Sequence, residues 1–228
     1  FDGTGYAKVR LRDLLQMASG VAWNEDYRDP NSDVARLDNA SESEVLIHLA
    51  SLPAIHDPGS VFNYNTGETT LAGAILSRAV GMSLTDYLAQ KMWIPFGMEH
   101  GADWALMGRD GAEMGGCCIS ATLRDYARLG LIALAGQRNE GLLPNGWMKE
   151  SIQPSKGADF YGYFWWLEPE GDFRAVGIFG QNIYISPKHD LVIATHGLWP
   201  AARSDELTER RSALIDSIKR AVETPASN

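Results

Sequence analysis

The chain has 228 residues, 45% of them hydrophobic and seven of them Trp, which is enough for one large domain or two modest ones with a substantial core. The formal net charge of −9 argues against a surface that follows the phosphates of a nucleic acid, because such a surface concentrates Lys and Arg. No run approaches the roughly 18 apolar residues that a membrane span needs. The composition therefore predicts neither a nucleic-acid partner nor a membrane partner.

The Cys and His residues predict no metal site and no bound cofactor. The five His residues show no His-Glu-x-x-His or similar ligand spacing, and no phosphate-binding Gly-rich loop is present. The only two Cys, Cys117 and Cys118, are neighbours after Gly115 and Gly116. A disulfide between adjacent residues is strained, so we expect two small buried thiols in a Gly-rich turn.

Hydrophobic periodicity, caps and turn residues predict the elements in chain order. Ser41 with Glu44 forms a capping box, and Thr122 with Asp125 caps a later helix. After about residue 150 the sequence is rich in aromatic and strand-forming residues, with short turns typical of an antiparallel meander. Helices are predicted over residues 8–17, 41–50, 69–80, 83–93, 122–135, 144–150 and 204–222, and strands over residues 160–167, 173–177, 181–186 and 191–196. The predicted class is α+β, with a mostly helical domain over 1–150 and an antiparallel sheet with its C-terminal helix over 151–228.

One stretch stands out as a candidate site. Phe62-Asn63-Tyr64-Asn65-Thr66-Gly67 follows the loop Pro58-Gly59-Ser60 and leads directly into an apolar helix. A Tyr at such a junction can present its phenol to a cleft while the helix behind it is anchored in the core. Taken alone, Tyr64 is more simply an ordinary half-buried aromatic residue.

The stretch resembles the second conserved element of the penicillin-recognising serine hydrolases, where Tyr-Ser-Asn or Tyr-Ala-Asn precedes a helix. Three further stretches resemble motifs of that family in the same order: Leu11–Gly20 its LLxMxSG segment, Ala121–Gly130 its STxxDxARFG helix, and Gly177–Gln181 the region of its third catalytic element. Each motif is weak alone, but four in the right order are specific. The look of Gly177–Gln181 is closest to the 6-aminohexanoate-dimer hydrolase and esterase branch.

The resemblance implies a β-lactamase/transpeptidase-like fold and hydrolysis of a small ester or amide through an acyl-enzyme. Tyr64 would help to move the proton of the nucleophile, and Ile178 would supply a backbone N–H to the oxyanion hole. Substrate contacts would come from Thr66, Gly177, Phe179, Gly180 and Gln181. The small-molecule substrate itself is not specified, and the compartment stays open between the cytoplasm and the periplasm of a bacterium.

The family's nucleophile is the Ser of a Ser-x-x-Lys motif, in which the Lys lies one helical turn from the Ser and activates it. No Ser of this chain has Lys three residues later, and no Gly-x-Ser-x-Gly motif replaces it. In the family that motif lies upstream of the segment that Leu11–Gly20 resembles. We therefore expect a missing N-terminal segment to carry the nucleophile, and we expect this chain alone to be inactive.

Two departures from the family bear on the substrate. Thr66 stands where the family has Asn, so no side-chain amide carbonyl is offered there. Neither Lys nor His occurs at Ala175-Val176-Gly177, where the family carries Lys-Thr-Gly or His-x-Gly. The first departure argues against recognition of a β-lactam or a peptide amide, and the second argues against β-lactams that bear a carboxylate.

Two other interpretations remain open at this point. The chain could be a non-catalytic binding module that keeps the scaffold without the nucleophile. It could also be a plain helical and sheet domain whose motifs are coincidental, although four ordered matches disfavour this. The residues encoded before Phe1 would distinguish an enzyme from a binding module.

Overall fold

The computed structural model describes residues 1–108 and 111–223. Its internal contacts group the chain into two compact units, of which the first comprises Phe1–Ala121 with Gln153–Phe164. The second comprises Thr122–Ile152 and the chain from Trp165 onward. The boundary near residue 150 was predicted from a change in residue types, which a grouping by contacts does not test, so it stays a prediction.

The first unit is mostly helical, with long irregular connections between its helices. Asn65 caps the longest of these helices, whose carboxyl end is closed by Gly81 in a left-handed conformation. A buried core packs beneath the helices and includes Leu14, Leu49 and Leu71. The elements are α1 (Leu11–Leu15), α2 (Glu42–Ser51), α3 (Thr66–Val80), α4 (Leu84–Leu88) with a π-helical turn over Ala89–Trp93, and the short pair β1 (Asp103–Trp104) and β2 (Ile119–Ser120).

The second unit is an antiparallel sheet with helices. Its four strands pair in the order in which they occur along the chain, so each pairs with its neighbour in sequence. Phe173 and Ile185 lie in one core with residues of the helix that follows Thr122, while Tyr184 and Ile193 pack with Ile215 of the C-terminal helix. The elements are α5 (Leu123–Gln137), α6 (Trp147–Ser151), β3 (Trp166–Leu167), β4 (Phe173–Val176), β5 (Asn182–Ser186), β6 (Leu191–Thr195) and α7 (Asp205–Glu223).

The α+β class and the antiparallel meander are confirmed, with several differences in detail, among them a start of α6 at Trp147 instead of residue 144. Helix α1 spans only Leu11–Leu15 instead of 8–17, and its carboxyl end comes early because Met17, two residues beyond it, takes a positive φ of 52°. Helix α3 begins three residues before the predicted Thr69. Residues 160–165 are irregular instead of a strand, and β1 and β2 lie in a segment predicted to be a loop without strands.

The prediction for the two Cys residues was wrong. Cys117 and Cys118 are exposed and are linked to each other by a disulfide. They follow a loop that packs closely on α3, where a Cβ added to Gly116 would lie 2.6 Å from the methyl group of Thr66.

None of the helices within the described residues combines the length and the apolar character needed to cross a membrane.

Candidate active site

The Tyr64 segment is held in place by the loop that follows α1. The Asn63 N–H donates to the carbonyl of Met17 at 2.8 Å, and the Asn65 N–H points at the Met17 sulfur at 3.4 Å. The same loop accepts the Gly59 N–H at the Ala18 carbonyl, at 2.6 Å. Two of the segments that resemble family motifs are therefore in direct contact within the first unit.

Tyr64 lies just before the residue that caps α3. The Asn65 side chain accepts the Glu68 N–H at 3.0 Å, which fixes where the helix starts and hence where Tyr64 is placed. The Tyr64 ring is half-buried and meets the ring of Tyr161 edge to face, with centroids 6.2 Å apart. Tyr161 is almost completely buried and also packs on Phe62. The ring is thus anchored by other aromatics, while its role in proton transfer stays a prediction.

Thr66, the first residue of α3, contacts a carboxylate that belongs to a distant part of the chain. Its N–H donates to Oε2 of Glu25 at 3.1 Å, and its hydroxyl donates to Oε1 of the same residue. Trp23 Nε1 donates to Oε2 at 2.5 Å, and the Tyr27 hydroxyl donates to Oε1 at 2.6 Å. Burial, together with the hydrogen bond to Glu25, raises the pKa of Tyr27, so this phenol stays protonated.

Glu68, in the first turn of α3, is a buried carboxyl group with few partners. It is 1% exposed, and its Oε1 receives the Asn65 amide at 3.3 Å and the Tyr6 hydroxyl at 3.5 Å. Among the described residues, Oε2 has no hydrogen-bond partner. Burial raises the pKa of Glu68 to about 8, which keeps the group largely neutral at pH 7.

In the second unit, Gly177–Gln181 forms the tight turn between β4 and β5. The Gly177 N–H donates to the Gln181 carbonyl at 2.8 Å, and the Phe179 N–H donates to Gln181 Oε1 at 3.2 Å. The Gly180 N–H donates to the Gly177 carbonyl at 3.2 Å. No acceptor among the described residues takes the Ile178 N–H. The turn therefore leaves the predicted oxyanion donor available.

Two positions in this turn require glycine. A Cβ at Gly177 would lie 2.5 Å from the Gln181 side chain that receives the Phe179 N–H. Gly180 has a φ of +95°, and a Cβ there would lie 2.3 Å from the Trp199 indole. The two glycines of the pattern Gly-Ile-Phe-Gly-Gln are thus explained by the conformation and packing of the turn.

The helix motif at Ala121–Gly130 is structural within the second unit. Thr122 caps α5 by accepting the Asp125 N–H, and Asp125 is completely buried with Arg128 paired to it at 3.2 Å. Gly130 lies against the sheet, where an added Cβ would be 2.5 Å from Val192. These contacts dock α5 on β5 and β6.

The structure brings Tyr64 and Thr66 together in the first unit, and groups Gly177, Ile178, Phe179, Gly180 and Gln181 in one turn of the second. The sequence prediction missed Trp23, Glu25 and Tyr27. Their spacing of two residues was the available signal, because alternate side chains of an extended segment point the same way.

Comparisons with known proteins agree with these motifs. The profile of the Beta-lactamase family matches residues 1–197. A 6-aminohexanoate-dimer hydrolase of Paenarthrobacter ureafaciens is 23% identical over 97% of the chain. A solved structure described as a 6-aminohexanoate-dimer hydrolase of Bacillus anthracis superposes with a TM-score of 0.83 and 26% identity, over 97% of this chain and 63% of that one.

A penicillin-binding protein of Bacillus halodurans shares the fold, with a TM-score of 0.70 at 19% identity, over 94% of this chain and 74% of that one. The chain spans about 62% of the length of the curated Paenarthrobacter relative. With its family profile matched over most of its length and the fold shared with these structures, this chain belongs to the Beta-lactamase family.

Proposed function

We propose that this chain forms most of the site of a serine hydrolase that cleaves a small ester or amide through an acyl-enzyme. Its similarity to proteins described as 6-aminohexanoate-dimer hydrolases supports a hydrolytic reaction. The observation that carries the assignment is Tyr64, a phenol held by buried aromatic residues at the start of α3, in the segment that resembles the family's catalytic Tyr element.

In the proposed reaction, the hydroxyl oxygen of a Ser attacks the substrate carbonyl and forms a C–O bond as the carbonyl becomes an oxyanion. The Ile178 N–H donates to that oxyanion. Tyr64 passes the Ser proton towards the leaving alcohol or amine, which departs as the acyl-enzyme forms. Water then hydrolyses the acyl-enzyme, releasing the acid and restoring the Ser.

We further propose that the Ser belongs to a Ser-x-x-Lys motif in a segment outside these 228 residues. Two observations support this: no Ser of the chain has Lys three residues later, and the curated relative is longer than the matched region. That segment would be the partner that completes the enzyme. The 228-residue chain alone should then give no turnover of p-nitrophenyl acetate.

A fluorophosphonate probe tests the proposal on the protein expressed from its complete gene. Intact mass should show one covalent adduct, and peptide mapping should place it on the Ser of an upstream Ser-x-x-Lys. An adduct on a Ser of residues 1–228 would show that the nucleophile is misassigned. A complete gene without that motif, giving no adduct, would favour a non-catalytic binding module.

Tyr64→Phe tests the proton relay in the same complete protein. The ring and its contact with Tyr161 are kept, so the unfolding temperature should be nearly unchanged. Turnover should fall by about 10²- to 10⁴-fold, the usual contribution of general acid–base catalysis. Tyr87→Phe, a half-buried Tyr on α4, is the matched control and should keep wild-type turnover. Equal turnover of both variants would reduce Tyr64 to a packing residue.

A further inference from the structure

The Glu25 carboxylate receives four hydrogen bonds. They come from the Trp23 indole, the Tyr27 hydroxyl, and both the N–H and the hydroxyl of Thr66. An ionised carboxylate is only an acceptor and offers about four lone-pair sites. The donors therefore saturate it, which disfavours direct binding of a substrate cation by Glu25.

Saturation of Glu25 has a consequence for Thr66. A hydroxyl has one hydrogen to donate, and that of Thr66 is directed at Glu25 Oε1. The rotamer is restricted as well, because the Gly116 backbone lies directly against the Thr66 methyl group. The hydroxyl oxygen keeps lone pairs, so a further partner of Thr66 must be a hydrogen-bond donor.

We propose that Glu25 determines substrate specificity by fixing the Thr66 hydroxyl as an acceptor for the N–H of a scissile amide. This rests on the proposed hydrolase function and makes the substrate an amide in preference to the matching ester. An ester oxygen carries no hydrogen, so it would leave the Thr66 lone pairs facing another acceptor. Glu25 acts here as a positioning residue, since its own oxygens are occupied by the protein.

Glu25→Gln is a sharp test of this arrangement because it changes polarity with little change in shape. The amide of Gln has one acceptor oxygen and two N–H groups, so it cannot receive four donors. Each oxygen of Glu25 receives two donors in the wild-type protein. Whichever of the two is replaced by nitrogen in the variant, these donors then face an N–H group. When that nitrogen faces Thr66, the hydroxyl can turn to accept from it, and the acceptor offered to the substrate is lost.

The experiment compares kcat/KM of the complete protein for a p-nitroanilide and a p-nitrophenyl ester with the same acyl group. Glu25→Gln and Thr66→Val should each lower the anilide-to-ester ratio about tenfold, the usual size of one lost hydrogen bond. The double variant should lower it no further than Thr66→Val alone, because both changes act through one hydroxyl. Thr66→Ser should keep the ratio, and so should Glu209→Gln, an exposed Glu of α7.

The outcomes distinguish failure of the specificity proposal from failure of the proposed hydrolase function. A wild-type protein without turnover and without a fluorophosphonate adduct overturns the proposed function, and the specificity proposal with it. An active wild type whose ratio is unchanged in Thr66→Val overturns the specificity proposal alone. If Glu25→Gln does not fold, Thr66→Val and Thr66→Ser still decide, since Val replaces the hydroxyl with a methyl group of similar size.

Discussion

Glu68 in the first unit and Asp172 in the second are both buried carboxyl groups, but the protein supplies them with different hydrogen-bond donors. In the second unit, Asp172 accepts Lys219 Nζ at 2.7 Å, the Tyr184 hydroxyl at 2.6 Å and the Ser186 hydroxyl at 2.7 Å. In the first unit, Oε1 of Glu68 receives the Asn65 amide at 3.3 Å and the Tyr6 hydroxyl at 3.5 Å, and Oε2 has no partner within hydrogen-bonding distance among the described residues. Both side chains are at most 2% exposed, so burial alone does not distinguish them.

The pKa values of the two carboxyl groups differ because the protein supplies different hydrogen-bond donors in place of water. Burial raises the pKa of Asp172, but the hydrogen bonds from Lys219, Tyr184 and Ser186 outweigh it, and the pKa is lowered overall. Burial dominates at Glu68 and raises its pKa to about 8, because the opposing hydrogen bonds from Ser19 and Tyr6 are too weak to offset it. Asp172 is therefore buried as an ion, and Glu68 is buried largely as a neutral acid at pH 7.

Asp172→Asn tests the ionic half of this comparison and should have the larger effect on stability. The substitution removes the charge that pairs with Lys219, and it places an amide nitrogen against a donor on one side or the other. Breaking a buried pair from one side costs about 3 kcal/mol of unfolding free energy. Urea unfolding at pH 7 measures the loss.

Asp190→Asn is the matched control in the same unit. Asp190 pairs with Arg138 at 2.9 Å, but its side chain is 73% exposed, so the loss should be small. Wild-type stability should also fall as pH drops through the lowered pKa of Asp172, since the folded state must then take up a proton. An Asp172→Asn variant with wild-type stability at pH 7 would mean that the Asp172 charge contributes nothing to stability.

The local parts of the fold could be predicted because their signals are local. Ser41 with Glu44 and Thr122 with Asp125 cap helices as predicted, since a cap and its partner lie within one turn. Asn65 caps α3 through the Glu68 N–H, and overlooking this pair placed the helix start three residues late. The aromatic run after Phe160 was predicted as a strand from its composition, but tertiary packing decides otherwise: Phe62 packs against Phe160 and Tyr161.

The residues of the candidate site also divide into those with a local sequence signal and those whose role depends on tertiary contacts. Tyr64, Thr66 and the Gly177–Gln181 turn could be selected because motif spacing marks them. The two-residue spacing of Trp23, Glu25 and Tyr27 indicates only a shared face, because no short motif encodes the contact of Glu25 with Thr66, 41 residues away. The raised pKa of Glu68 was equally hidden, since it depends on donors that the fold fails to supply.

Glu68→Gln tests the neutral half of the comparison and should show the opposite pH dependence. The folded pKa of about 8 lies above the usual Glu value, so this group stabilises the fold at low pH. That contribution is lost as pH rises towards and through 8, because the folded state must release the proton or unfold. The variant should match wild type near pH 5 and exceed its stability near pH 7 by about 2 kcal/mol, with the difference still growing up to about pH 8.

Thermal unfolding from pH 5 to 9 measures this, with Glu209→Gln as an exposed Glu-to-Gln control. Parallel pH profiles for wild type and Glu68→Gln would mean that Glu68 is ionised in the fold across the range. The neighbouring titratable groups, Tyr6 and Asp13, are the same in both proteins, so they cancel from the difference.

The two helix caps extend the comparison to smaller effects. Ser41 caps α2 in the first unit, and its partner Glu44 is exposed, so water can replace the lost hydroxyl there. Thr122 caps α5 in the second unit, and its hydroxyl donates at 2.8 Å to Asp125, which is completely buried. If donors to buried carboxylates matter as the Asp172 and Glu68 contrast indicates, the same change should weaken the two helices unequally.

Ser41→Ala should lower the unfolding free energy by about 1 kcal/mol, the typical loss for a cap. Thr122→Ala should lower it by about 2 kcal/mol, since it also takes a donor from a buried carboxylate. Thr122→Ser keeps the hydroxyl and should recover most of that loss, which separates the cap from the packing of the Thr methyl group. Urea unfolding of the three variants gives the difference of about 1 kcal/mol directly. Equal losses at the two caps would mean that Arg128, 3.2 Å from the Asp125 carboxylate, suffices without Thr122.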